Sequence, residues 1–137
     1  RAAAVAAILA PCGVQVLTVP VPAGAQHLLG VVVPISADRA IVDADRCSPA
    51  LRQVLADRGV DTIEIPPSDE NRTRRGMNIV VLRPNTVLMP AGCPELRARF
   101  EDHGLTVHAL AVDAHVQAAG ALGCMTAIIR RDMPTVG

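Results

Sequence analysis

Residues 51–65, "LRQVLADRGVDTIEI", read as an amphipathic helix that stops at a glycine and passes at once into a short strand. Leu51 and Leu55 fall four apart, so they share one helix face. Gly59 stands just past the last turn, where a left-handed residue closes a helix and glycine adopts it without a Cβ penalty. Residues 96–110, "LRARFEDHGLTVHAL", repeat the pattern 45 positions later, matching Leu51 with Leu96, Arg52 with Arg97, Leu55 with Phe100, Asp57 with Asp102 and Gly59 with Gly104. A third copy opens the chain: in "VAAILAPCGVQVLTV", Val5, Leu9 and Gly13 take the places of Leu51, Leu55 and Gly59, with Val14–Val21 as its strand. An internal period of this length marks a repeat architecture.

Working outward, two β-like segments precede each of the later helices. "VVVPISADRAIVD" turns near Asp38, and "NIVVLRPNTVLMP" turns at Pro84-Asn85, a pair with turn chemistry. Ser48-Pro49 and Cys93-Pro94 place proline in the first helical turn, where its missing N–H costs nothing. The unit is strand–turn–strand–helix–strand, and the fold class is α/β. The closing "CMTAIIRR" is expected to begin another strand pair. One such unit buries a single face of its sheet, so neighbouring copies must complete the core. Two full units and two partial ones call for oligomerisation or for further units, and a start at Arg1 rather than Met fits a piece of a longer chain. The polar stretch 66–76, "PPSDENRTRRG", is a surface loop, either a solvated connection or an active-site loop or lid.

Composition narrows the function classes. Thirteen basic residues balance thirteen acidic ones, and Trp and Tyr are absent, so neither a basic footprint nor stacking platforms for nucleic acid exist. Residues 2–10, "AAAVAAILA", lack a basic leader of any length and are too few to span a bilayer, so no membrane partner is expected. Cys12, Cys47, Cys93 and Cys124 are scattered without a C-x-x-C pair, which fits free thiols in a reducing cytoplasm better than a disulfide scaffold. Cys12, Cys47 and Cys93 read as packing residues, and Met77, Met89 and Met125 as core filler. His103, His108 and His115 are spaced by five and seven residues, so no pair shares a helix face at i, i+4 and no metal site is expected.

"QAAGALGCMTAIIRRD", residues 117–132, differs from the rest: Gly120 and Gly123 lead straight into Cys124 ahead of an apolar run. Cys124 is either a small buried hydrophobe or a nucleophile at the mouth of a strand, with glycines leaving a substrate room to approach. The cysteine alone leaves both open.

From Thr62 to Thr126 the sequence resembles the C-terminal part of the guanidino-group-modifying superfamily, the penteins, whose members include dimethylarginine dimethylaminohydrolases, arginine deiminases and amidinotransferases. "IEIPPSDENRTRRGMNIVVL" is similar to the family's acidic loop followed by a small residue and Asn, here Gly76-Met77-Asn78. "NTVLMPAGCPELRARFEDHGLTV" resembles its strand-to-helix corner, and "GALGCMT" its Gly-Gly-x-x-Cys-x-Thr/Ser nucleophile motif. "QHLLGVVVPI" resembles the segment that carries its catalytic histidine. The likeness covers nearly the whole chain and is closest to the dimethylarginine hydrolase branch and its bacterial amidinotransferase-like relatives.

The resemblance implies a five-bladed α/β propeller of ββαβ units, of which residues 1–137 supply about half, the C-terminal part, with the N-terminal units missing. It implies Cys124 as nucleophile and His27 as the proton-transferring residue. Asn78, Asp69, Glu70 and Gly123 are the implied substrate-binding positions, with Asp69 and Glu70 the best candidates for an acidic guanidinium clamp. The implied reaction is cofactor-free hydrolysis of dimethylarginine to citrulline and dimethylamine. Arginine deiminase, amidinotransferase and a non-catalytic binding domain on the same scaffold are the alternatives. The partners implied are a small guanidino substrate and the remaining units, from the same gene, a partner chain or an oligomer. Three positions depart from the family: Ala121 replaces the second glycine, His115 an acidic residue, and Leu29 an acidic or polar one two places after His27.

Overall fold

The computed structural model describes residues 2–129. Its ordered body is two copies of the same unit. In the first, β1 (Val32–Pro34) pairs antiparallel with β2 (Arg39–Asp43), α2 (Pro49–Asp57) crosses over after α1 (Ala2–Leu9) has opened the chain, and β3 (Asp61–Ile65) returns parallel to β2. In the second, β4 (Val80–Arg83), β5 (Thr86–Pro90), α4 (Pro94–Asp102) and β6 (Thr106–Leu110) repeat that order and those directions, with α3 (Asp69–Arg72) between the units. The α/β class and the strand–turn–strand–helix–strand unit are as the repeat predicts.

The local signals act where the sequence puts them. Ser48 caps α2, its hydroxyl accepting from the Leu51 N–H at 3.2 Å, with Pro49 in the first turn. Gly59 and Gly104 take φ of 65° and 80° past the two crossover helices, which only glycine adopts without strain. Asn85 turns the second hairpin at φ 57°, a conformation that asparagine tolerates.

Strand alternation divides the core. Ile41, Ile63 and Ile65 point one way and meet Met77, Ile79, Val87, Met89, Leu96 and Phe100 of the second unit. Ala40 and Val42 point the other way, against Cys47 and Leu51. Both faces of the first sheet are thereby covered, whereas the second sheet buries the face of Val87, Met89 and Val107 and leaves Thr106, His108 and Leu110 exposed on the other. Arg39 ties the units at their turn end, its guanidinium donating to the His103 carbonyl at 3.0 Å and to Asn85 Oδ1 at 3.3 Å.

Four sequence expectations need correction. Val14–Val21 is not a strand; Val14, Leu17 and Val21 are about half exposed. In both complete units the last strand pairs with a hairpin strand preceding its helix, and among the described residues Val14–Val21 joins no such ladder. A strand without a ladder leaves its backbone groups to water. Residues 122–125 form a short helix, α6 (Leu122–Met125), and 126–129 are irregular, so no strand pair begins at Cys124; Arg130 and Arg131 lie outside the described residues. Met125 and Cys12 are exposed, unlike the buried Met77, Met89, Cys47 and Cys93. Finally, the polar stretch 66–76 is more than a solvated connection, since it contains α3 and buries Asn71 and Gly76.

That stretch anchors a buried charge. Asp43, at the end of β2, is fully buried and accepts from Arg72 Nη1 at 2.5 Å and from Asn71 Nδ2 at 2.9 Å. Arg72 also pairs with Asp45. Removing one partner of such a set strands the others without a counter-charge. Asp43→Ala is therefore expected to cost about 3 kcal/mol, the low end of the range for breaking buried pairs, because a quarter of the Arg72 side chain still meets water. A urea titration of the variant against the parent measures it.

Candidate functional site

Cys124 owes its position to a local chain of constraints. α5 (Asp113–Gln117) ends in a tight turn with Ala119 at φ 61°, and the Gly120 N–H closes it on the His115 carbonyl at 2.8 Å. Ala121, wholly buried and extended, and Leu122, 2% exposed, then pin the start of α6 to the body. Cys124 is the third residue of that turn, and its side chain is exposed. Thr126 fastens the far end, its hydroxyl donating to the Leu122 carbonyl at 2.7 Å. A Cβ at Gly120 would lie 3.9 Å from Cys124 Sγ, so this glycine keeps one flank of the thiol open.

The other flank is occupied by Asn78, from the loop that enters β4. Asn78 Nδ2 lies 3.1 Å from Cys124 Sγ, and Asn78 Oδ1 accepts from the Gly123 N–H at 2.7 Å. The Asn78 hydrogen bond holds the Cys124 thiol pKa below its ordinary value, assisted by the Ala121 backbone and by the Arg75 charge. Its burial opposes this only in part. Burial does the reverse elsewhere, raising Cys47 and pushing Cys93 up to about 11. Of these three thiols, only Cys124 is both exposed and biased toward the reactive thiolate.

Beside this pair lies a cavity of about 150 Å³ whose wall includes His27, Arg46, Asn71, Arg75 and Asn78. Asn78 is shared, so it joins the cavity to the sulfur. His27 is exposed, precedes a single 3-10 turn at Leu28–Gly30, and keeps its ring without a hydrogen-bond partner among the described residues. Arg46 sits on a loop fixed from below, where Asp43 Oδ1 accepts from the Arg46 N–H at 3.2 Å. Arg75 is held in the left-handed region at φ 58°, and the Asn78 N–H bonds back to its carbonyl at 2.8 Å. No Asp or Glu lines this cavity. Its cationic wall suits an anionic group, such as a carboxylate, better than a guanidinium.

Of the positions expected from sequence, the structure thus brings Cys124, Asn78 and Gly123 into contact and sets His27 on the adjoining cavity. Asp69 and Glu70 lie elsewhere. The Asp69 side chain is 73% exposed, 3.9 Å from Arg74. Both oxygens of Glu70 cap α4, accepting from the N–H groups of Glu95 at 3.1 Å and Leu96 at 2.8 Å. Cys93 supplies no side-chain cap there, so the carboxylate does, at the positive end of the helix dipole. Gly123 gives its space to Asn78 rather than to open solvent: a Cβ there would stand 2.7 Å from Asn78 Oδ1. Sequence reading missed Arg46, Arg75, Asn71 and Asp43. Asn71 and Arg75 lie in the polar stretch that the sequence offers as a site loop, and Asp43 carried a signal as a charge on the same strand face as Ile41. Among the described residues no three His, Cys, Asp or Glu side chains gather where a metal ion could be held. No described helix is long and apolar enough to cross a membrane.

No protein-family model matches the sequence, and no curated protein matches it. Solved structures do. An inosamine-phosphate amidinotransferase from Streptomyces griseus superposes with a TM-score of 0.67 at 20% identity, over 82% of this chain and 34% of that one. A dimethylarginine dimethylaminohydrolase, solved as an adduct with 4-chloro-2-hydroxymethylpyridine, gives 0.66 at 21% identity, over 90% and 46%. The fold is the pentein fold. A Pseudomonas aeruginosa dimethylarginine hydrolase complexed with citrulline superposes at 0.58 and 21% identity, over 80% of this chain and 39% of its own. The chain thus spans about a third to somewhat under half of the pentein chains it matches, and its two ββαβ units correspond to part of the pentein architecture.

Proposed function

We propose that this chain is the nucleophile-bearing part of a cysteine-dependent enzyme that cleaves a C–N bond of a guanidino substrate. The observation that carries the reading is the exposed Cys124, with its sulfur 3.1 Å from an amide donor and its thiol pKa lowered, beside a cavity walled by His27 and two arginines. The pentein fold adds support, because solved chains sharing it are named as dimethylarginine hydrolases and amidinotransferases.

In the hydrolytic form the Cys124 thiolate adds to the central guanidinium carbon and forms a C–S bond. The C–N bond to dimethylamine then breaks, and the departing nitrogen takes a proton from His27. A water, deprotonated by His27, adds to the same carbon; the C–S bond breaks, releasing citrulline and restoring the thiolate. Arg46 and Arg75 hold the substrate's carboxylate. The carboxylates that recognise the guanidinium itself come from units outside these residues. Such an enzyme works in a reducing compartment, the cytoplasm, where its four unpaired cysteines stay reduced.

A second reading has its own observation. The Streptomyces griseus protein, at the same TM-score level as the hydrolase, is an amidinotransferase. In that reaction an amine replaces water in the second step. The full-length protein given dimethylarginine, or arginine with and without an acceptor amine, separates the two. Citrulline and dimethylamine without acceptor mark the hydrolase, while ornithine formed only with acceptor marks the transferase. No turnover of either substrate, with all units present, points to a binding domain.

A further inference from the structure

We infer that Asn78 is the positioning residue for the Cys124 nucleophile, gripping the α6 turn by its backbone and the sulfur by its side-chain amide at once. The inference rests on Cys124 as the reactive thiol and departs from the expectation that Asn78 is a substrate-binding position.

The geometry fixes the direction of both bonds. A backbone N–H can only donate, so the Asn78 atom 2.7 Å from the Gly123 nitrogen must be the carbonyl oxygen. Its NH₂ group is then the atom facing Cys124 Sγ at 3.1 Å, and an NH₂ group can only donate. A sulfur that accepts is better served as thiolate than as thiol, because hydrogen bonding to the charged form favours it. The two bonds form one bracket. Gly123 and Cys124 are adjacent, so Oδ1 sets the height of the α6 turn while Nδ2 meets the side chain that the turn presents. Asn78 is itself fixed, since its N–H bonds to the Arg75 carbonyl and Met77 and Ile79 on either side are in the core. Gly123 is part of the device, because any side chain there would collide with Oδ1.

Other groups near the sulfur contribute differently. Arg75 acts through charge alone, and the Ala121 backbone favours the thiolate by a hydrogen bond. No carboxylate is among the groups that shift the thiol. A carboxylate introduced at position 78 therefore changes the field at the sulfur as well as the hydrogen bond.

Iodoacetamide labelling of Cys124 across pH 5–10, resolved by peptide mass spectrometry so that the exposed Cys12 is scored separately, tests this without any substrate. Asn78→Asp keeps the acceptor for Gly123 but replaces the donor with a negative charge. Its labelling midpoint is expected to rise by about one pH unit or more. Gly123→Ala, which displaces the amide without altering it, is expected to shift the midpoint in the same direction while far-UV circular dichroism stays unchanged. Unshifted midpoints in both variants, or in Gly123→Ala alone if Asn78→Asp does not fold, would overturn the inference. Because the readout is thiol ionisation, it stands or falls separately from guanidino turnover: a shifted midpoint in a protein without turnover leaves the bracket intact and removes the enzymatic reading.

Discussion

Cys124→Ser is expected to abolish the proposed guanidino turnover, by about a thousandfold or more, while leaving the fold intact. A serine hydroxyl is similar in size, but its proton is far harder to remove, so the nucleophile is lost with little change in shape. The side chain is exposed, and no buried contact depends on its sulfur. Melting temperature should therefore match the parent's. The parent's inactivation by iodoacetamide should speed up as pH rises through a midpoint below the roughly 8.5 of an unperturbed thiol, since the Asn78 bond lowers this one. Below that midpoint the thiolate is lost and the rate falls. Activity surviving in the serine variant would remove Cys124 from the chemistry.

Phe100→Ala is expected to be the most damaging single change to stability, at about 3–5 kcal/mol. Phe100 is the chain's only aromatic residue, is fully inaccessible, and sits on α4 at the junction of the two units. Truncation to alanine leaves a cavity in a packed cluster of mostly Ile, Val and Leu side chains, which relaxes only partly to fill it. Against a total of about 5–15 kcal/mol for a domain, that loss takes a third or more of the margin. Phe100→Leu supplies the control. Leucine already occupies the matching place in the first unit, Leu55, and the swap should cost about 1.5 kcal/mol or less. Urea midpoints of the three proteins would show the ranking, and equal midpoints for alanine and leucine would contradict it.

The polar stretch 66–76 shows where reading from sequence gives out. Prolines, charges and a glycine describe a solvated loop, and much of it is exposed. Its function in the fold comes from three side chains whose partners lie 25 to 29 positions away: Asn71 and Arg72 on Asp43, and Glu70 on the N-terminus of α4. A charge that caps a distant helix looks, in one dimension, the same as a charge that clamps a ligand. That is why Glu70 reads as a guanidinium ligand in the sequence and as a helix cap in space. Cys124 raised a related ambiguity. A short apolar run such as "CMTAII" fits a strand or a helical turn equally well by periodicity. The bond from Thr126 back to the Leu122 carbonyl, four residues earlier, marks the helical turn.

The sequence by itself determined the repeat, because apolar period, helix-stopping glycine and turn residues are local signals that recur at a fixed offset. From them follow both ββαβ units, their caps and the two faces of the first sheet. It also singled out Cys124 through the glycines before it. Tertiary structure alone decided what surrounds that sulfur. Asn78 reaches Cys124 across 46 positions, and Arg46, Arg75 and His27 converge on one cavity from three separate loops. Periodicity records which face a side chain takes within its own element. Which single side chain it meets is set only when the elements pack, and no local pattern carries that information.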